Sequence, residues 1–315
     1  MSEQIAEALL PVFFVMALGF LAGKRGLVDN RNLKSLINFV MMFALPCSLF
    51  IAISRTPRAI VLQHGSLIFV LFAAYLIIYG ITFALQRGVH GSSADVSGVQ
   101  ASTVSFPNSS SIGLPLLGSV FGPQSAIAVA IAIAVGSMTV SPITLAILES
   151  GTPEGQALPL SQRYLRAAWK SVCKPVVIGP LIAVAFALMN VHLPDLAIRS
   201  LALIGQATAG SALFLTGLIL SAQPFRLDGN VWSGIGWKNL VQPGIVFLLA
   251  RALNMSPVIG GEAILMAAIP TGFFGIVFGA GYDVKPVVSS STLIGSSVAG
   301  VLTLALWIFL VHGMH

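Results

Sequence analysis

Between residues 4 and 311 the chain is a near-unbroken succession of apolar runs, each roughly 20 residues long, and that pattern leaves few folds open. About 20 residues of helix, rising 1.5 Å each, match the ~30 Å hydrocarbon core of a bilayer. No soluble core can hide so many such runs in 315 residues of which 56% are hydrophobic and 8% charged, at a mean hydropathy of +0.94. The expected class is an all-α membrane protein. The first run is not a secretory leader by its flanks, because Glu3 and Glu7 precede it and the basic "GKRG" follows it.

Breaks between the runs predict ten transmembrane helices, near 4–23, 33–54, 61–86, 95–121, 124–148, 168–190, 196–221, 230–253, 257–281 and 285–311. The one long polar connection, "ESGTPEGQALPLSQRYLRAAWK" at 149–170, lies near the midpoint. It divides the chain into a first five-span repeat (1–148), a cytoplasmic linker (149–167) and a second five-span repeat (168–315). A constant shift superposes the halves. Pro11-Val12 falls on Pro175-Val176 and "SLF" at 48–50 on "ALF" at 212–214, both offset by 164, while Pro107 falls on Pro270 at 163. Five is odd, so the second repeat enters the membrane inverted relative to the first.

Orientation follows from Lys and Arg. The odd connections and their flanks carry 12 of them, Lys238 included, and the even ones carry 4, Arg55, Arg58, Arg199 and Arg251, which makes all 16. Odd connections are therefore cytoplasmic and both termini lie outside the inner (plasma) membrane. The net charge of +6 is spread over these loops rather than gathered in a patch, so it is a topology signal and not a nucleic-acid footprint. Cys47 and Cys173 have no metal-ligand spacing.

Two spans are interrupted. "STVSFPNSSSIGLPLLGSVFG" at 102–122 puts Pro107, Gly113 and Pro115 within one helix, which must break or unwind there. Asn108 then sits about 18 Å from the start of the span, near the bilayer midplane. "AAIPTGFFGIVFG" at 267–279 places Pro270, Thr271, Gly272 and Gly275 at the same depth in the ninth span. Freed backbone groups are tolerated at that depth only inside protein or along a wet cavity, and paired breaks in inverted halves mark a transporter's binding site. The candidate substrate-binding set is Pro107, Asn108, Ser109, Ser110, Ser111, Gly113, Pro270, Thr271 and Gly272, joined by Pro46 and Ser48 of "ALPCSLF" in the second span. Bland readings stand beside the functional ones for some residues: a packing kink for Pro46, helix capping for Asn108, and helix packing for the tenth-span serines Ser289, Ser290, Ser291, Ser296 and Ser297.

Two half-helix N-termini facing the centre, each worth about +0.5 charge, make an anion site without Lys or Arg. The opposed half-helix C-termini offer carbonyls to a coupling proton or sodium ion, and no other cofactor is expected. Glu7, Asp95, Glu262 and Asp283 fall near span ends, His64 and His90 near loops, and no ionisable residue is expected at mid-membrane. Ser/His/Asp, HExxH and paired-carboxylate constellations are absent from the sequence, which disfavours a membrane enzyme. A channel is the other alternative, though a continuous pore has no need of paired broken helices.

At these motifs the chain resembles the auxin efflux carrier family, whose bacterial branch includes malonate and other organic-acid carriers and whose architecture is shared with bile acid:sodium symporters. The resemblance rests on the ten-span layout, on "FPNSSSIGLPLLGSVFG" and "AAIPTGFFGIVFGAGYD", and on the opening "LLPVFFVMALGFLAGKRGLVD". It implies that the fourth and ninth spans cross at Pro107 and Pro270, and that a scaffold of spans 1, 2, 6 and 7 holds a transport domain of spans 3–5 and 8–10 that moves as an elevator. It also implies a homodimer through the scaffold. The symporters hold sodium with a ninth-span glutamate; none follows Pro270 here. The function expected is secondary transport of a small organic anion, a mono- or dicarboxylate that is malonate-like or auxin-like.

Overall fold

The computed structural model describes residues 2–313 apart from 31, 56, 153–158, 160, 163–164, 167–168, 170–172 and 192. The linker expected at 149–167, and the first turns of the span expected from 168, therefore lie largely outside the described residues. The chain is helical: α1 (Ser2–Lys24), α2 (Lys34–Ser54), α3 (Arg58–Gly88), α4 (Ala94–Ser105), α5 (Ser109–Phe121), α6 (Pro123–Ser150), α7 (Pro175–Leu188), α8 (Asp195–Ala222), α9 (229–252), α10 (Pro257–Ala268), α11 (Phe274–Ala280) and α12 (Val287–His312). Among the described residues five helices, α2, α3, α6, α8 and α12, are long and apolar enough to cross a membrane, and Leu9–Lys24, α5, α7 and α10 are shorter apolar helices.

The starts follow local chemistry. Pro175 and Pro257 occupy the first helical positions of α7 and α10, where a missing amide hydrogen costs nothing. Asp228 caps α9 by accepting from the Val231 amide at 2.8 Å, and Ser256 caps α10 through the Ile259 amide at 3.4 Å. Gly122 turns the chain between α5 and α6 at φ +88°, a conformation that glycine adopts without strain.

α1 packs along the Thr208–Ala222 part of α8, and the Leu45–Ser54 part of α2 along α7 and Asp195–Gly205. The first contact is close: a Cβ on Gly19 would stand 2.1 Å from Phe214 O, and one on Gly217 2.0 Å from Met16 O. Glycine is thus what lets these two backbones touch, as small residues do in bundles that have no water to drive association. The second group of contacts joins α3 to α4 and α6, α4 to α6 and α11, α9 to α10 and α12, and α10 to α12.

Pro115 does not break its helix as the sequence suggests. The interruption is confined to Phe106–Asn108, and Ser109–Gly113 forms a π turn, with Gly113 helical at φ −57°, that runs straight into Leu114–Phe121. The same arrangement recurs at Val40–Ala44 before Pro46 and at Trp237–Val241 before Pro243. A proline ring inside a helix clashes with the carbonyl four residues back and removes a hydrogen bond to it; widening the preceding turn relieves both.

Candidate functional site

The two interruptions meet. Pro107 and Thr271 form an isolated antiparallel bridge, with the Asn108 amide donating to Pro270 O at 2.9 Å and the Gly272 amide to Phe106 O at 2.8 Å. Backbone groups released by the two prolines thus satisfy each other in the protein interior. The approach needs glycine after Pro270, since a Cβ on Gly272 would lie 2.7 Å from Phe106 O and one on Gly275, in α11, 2.7 Å from Val99 O. Phe106 stacks on Phe274 with centroids 5.0 Å apart and contacts Tyr75 at 6.1 Å, so an aromatic wall flanks the bridge.

Asn108, Ser109, Ser110, Ser111 and Thr271 are all at most 1% exposed. Asn108 Nδ2 donates to Thr216 Oγ1 at 3.2 Å, and Ser111 Oγ lies 3.0 Å from the same Thr216 hydroxyl, which also reaches Ala212 O. Thr216 belongs to α8, so a residue of the packed pair α1–α8 closes over the start of α5. Asn108 Oδ1, Ser110 Oγ and Thr271 Oγ1 are buried without a hydrogen-bond partner among the described residues. Left unpaired each would cost about 1–3 kcal/mol, so these oxygens have hydrogen-bonding capacity to offer water or a solute, as do others elsewhere in the interior such as Thr82 Oγ1 and Thr208 Oγ1. The second break is held by Ser296, whose hydroxyl accepts from the Thr271 amide at 3.1 Å and donates to Asn239 Oδ1 at 2.6 Å. Ser296 therefore supports the break as well as packing α12.

Two cavities lie at opposite ends of α2 and α8, and among the described residues none of the bridge lines either. One, of about 570 Å³, is lined by Ser48, Ala52 and Arg55 of α2, Pro123 and Gln124 after α5, and Ala202 and Gln206 of α8. The other, of about 430 Å³, is lined by Lys34 and Asn38 of α2, Ile219 of α8, Gln223 just beyond it, and Ile276 and Ala280 of α11. Among the described residues each has one basic side chain on its wall, Arg55 or Lys34. Ser48 thus lies on a cavity wall and not at the bridge. Pro46 is buried against α7, its Cβ 3.3 Å from the position a Cβ on Gly179 would take.

Ionisable residues do lie inside, contrary to the sequence expectation. Lys238 has no exposed surface; its Nζ donates to Gln242 Oε1 at 2.6 Å and to Ala267 O at 2.9 Å. Counted from its neighbours in sequence it resembles a cytoplasmic flank, but α9 continues past it and turns it toward α10; without it the basic residues divide 11 to 4. His64 is 4% exposed and not loop-solvated, with Nδ1 2.7 Å from Ile60 O and Nε2 3.1 Å from Glu262 Oε2. Because Nδ1 must donate to the Ile60 carbonyl, the His64–Glu262 contact shares a second proton. Glu262 is 2% exposed because α10, in whose second turn it sits, packs against α3, α9 and α12. α11 has only seven residues, so the amide field at the bridge comes chiefly from α5. Thr216, Lys238 and Gln242 were not singled out by the sequence; a lysine and a glutamine one turn apart within an apolar run were the available signal.

A model for the family described as membrane transport protein matches residues 4–308. The uncharacterized transporter YfdV of Escherichia coli K12 is 26% identical over 309 residues, covering 96% of each chain. A Rhizobium meliloti protein named "Putative malonate transporter" is 24% identical over 98% of this chain and 96% of its own. Auxin efflux carrier component 8 of Arabidopsis thaliana is 22% identical, with 97% of each covered. With the family match running almost end to end, the chain belongs to the membrane transport protein family, that of the auxin efflux carriers.

Proposed function

We propose that the protein is a secondary active transporter that carries a small organic anion, a mono- or dicarboxylate such as malonate, by elevator-type alternating access. The observation that carries this reading is the closed bridge at Pro107 and Thr271, with its orphaned buried oxygens and a cavity at each end of the α2–α8 pair. A continuous pore would not be sealed at its centre; a carrier between its two open forms would be. The amides of α5 and the hydroxyls of Ser110 and Thr271 suit carboxylate oxygens, and Arg55 and Lys34 give each entrance a positive wall.

The reading includes ten spans in two inverted repeats, with α4–α5 and α10–α11 as the broken fourth and ninth. Two facts support it. Contacts occur in repeat-related pairs: α1 with α8 and α7 with α2, α3 with α4 and α9 with α10. The cavities are related likewise, since Asn38 and Ala202, or Arg55 and Ile219, differ by 164. In this reading α1, α2, α7 and α8 are the scaffold and dimerise in the inner membrane with both termini outside, while Thr216 is the scaffold's contact on the moving site. The relative named for malonate directs the choice of first substrate.

Exchange in proteoliposomes tests the proposal. Vesicles loaded with malonate should take up labelled malonate saturably, and the mono- and diamide should not compete. Equal competition by the diamide, or conductance beyond carrier turnover, refutes it.

A further inference from the structure

Lys238 is among the largest fully buried side chains of the molecule, and the transport reading so far gives it no task. It stands nine residues into α9, about 14 Å along a helix of 24, so it cannot snorkel to either interface without leaving its partners. Among the described residues the ion pairs are His64–Glu262 and Lys285–Asp283, so no carboxylate balances it. What surrounds its nitrogen is neutral oxygen. One ligand is Ala267 O in the last turn of α10; the other is Gln242 Oε1, whose own amide donates at 2.8 Å to Ser105 O, the last residue of α4.

Lys238 and Gln242 therefore join the carbonyl ends of the two half-helices that precede the breaks. Those carbonyls lack intrahelical partners, and each helix end is equivalent to about −0.5 charge, so the two together match one cation. In carriers built on broken helices, half-helix carbonyl ends are where a coupling sodium ion is held. Here a tethered amine reaches one of the two ends directly and the other through Gln242.

We propose that Lys238 is a resident cation of the crossover: it takes the position that a coupling sodium ion would otherwise fill, and so makes the transport cycle independent of sodium. It acts on substrate by positioning, since holding α4 and α10 end to end fixes the bridge at Pro107 and Thr271 and with it the start of α5. The transport consequence rests on the carrier reading above; the claim about ion occupancy does not.

The test uses the purified full-length protein, Lys238→Gln and Lys238→Arg, each compared in NaCl and choline chloride at equal ionic strength. Wild type should melt at the same temperature in both salts and, in proteoliposomes at fixed membrane potential, exchange malonate at rates within about twofold. Lys238→Gln should exchange at least about tenfold more slowly in choline, and sodium should restore part of the rate and raise its melting temperature as the ion enters the vacated carbonyls. Lys238→Arg should keep the sodium-independent behaviour. A sodium-specific rise in the melting temperature of the wild type would overturn the proposal, as would Lys238→Gln exchange equal to wild type in both salts. If Lys238→Gln does not fold, the wild-type comparison and Lys238→Arg still decide. Melting reads ion occupancy with no solute present, so a wrong substrate would silence exchange and leave that arm intact.

Discussion

Asn108→Ala and Thr216→Val cut the same hydrogen bond from opposite ends and should have opposite consequences. Asn108 Nδ2 donates to Thr216 Oγ1, while Asn108 Oδ1 is buried without a partner. Truncating Asn108 removes one neutral hydrogen bond, worth about 0.5–1.5 kcal/mol, but also removes the orphaned oxygen, which costs about 1–3 kcal/mol, so stability should change little. The Thr216 hydroxyl keeps Ser111 and Ala212 as partners. Thr216→Val keeps the shape and strands both the Asn108 amide and the Ser111 hydroxyl, which should destabilise by about 1–3 kcal/mol. For recognition the order reverses. If the Asn108 amide donates to a carboxylate, that bond is worth about 1.5–3 kcal/mol, so Asn108→Ala should weaken malonate binding roughly ten- to hundredfold. Thr216→Val should leave affinity nearer wild type. Melting temperatures of the purified variants, paired with malonate exchange, read the two quantities separately. The argument fails if Asn108→Ala exchanges malonate within about twofold of wild type, or if its melting temperature falls as far as that of Thr216→Val.

Two further outcomes are expected. Removing one partner of the buried pair by Glu262→Ala should destabilise by about 3–5 kcal/mol, whereas His64→Leu with Glu262→Met should be neutral or stabilising, as chemical denaturation will show; a double variant as unstable as the single would contradict the pairing. In a background lacking Cys47 and Cys173, a cysteine at Ser150 should resist impermeant thiol reagents in intact cells, and ready labelling would reverse the orientation drawn from the basic residues.

What could be seen in advance divides by the range of the chemistry. Pro107 and Pro270 announce their breaks because the missing amide and the ring clash act within one turn of the residue itself. That the two breaks would cross follows from the family resemblance; that they hydrogen-bond to each other, Asn108 to Pro270 and Gly272 to Phe106, depends on packing and has no local signal. Lys238 was hidden because the register of α9 depends on its π turn, and a lysine eight residues into a run is indistinguishable by sequence from an interfacial flank. Thr216 was hidden for a simpler reason: a helical threonine ordinarily bonds its own backbone, as this one does to Ala212 O, and its second role depends on which helix lies against it. His64 and Glu262, 198 positions apart, needed the packing of α3 on α10 to be recognised as partners.

The three π turns, at 40–44, 109–113 and 237–241, have a consequence for how this architecture changes over evolutionary time. A π turn carries one residue more than an α turn, so it is equivalent to a single-residue insertion absorbed in one widened turn, and the helix beyond it keeps its face. Deleting that residue would restore an α turn and leave Ser48, Leu116 or Gln242 facing as it does now, whereas closing the turn with the residue kept would rotate everything beyond it by about 100°. Each of these turns is therefore a place where the chain can gain or lose one residue while the side chains that follow hold their positions. Relatives are expected to differ at these points by gaps of one residue without loss of the faces beyond them.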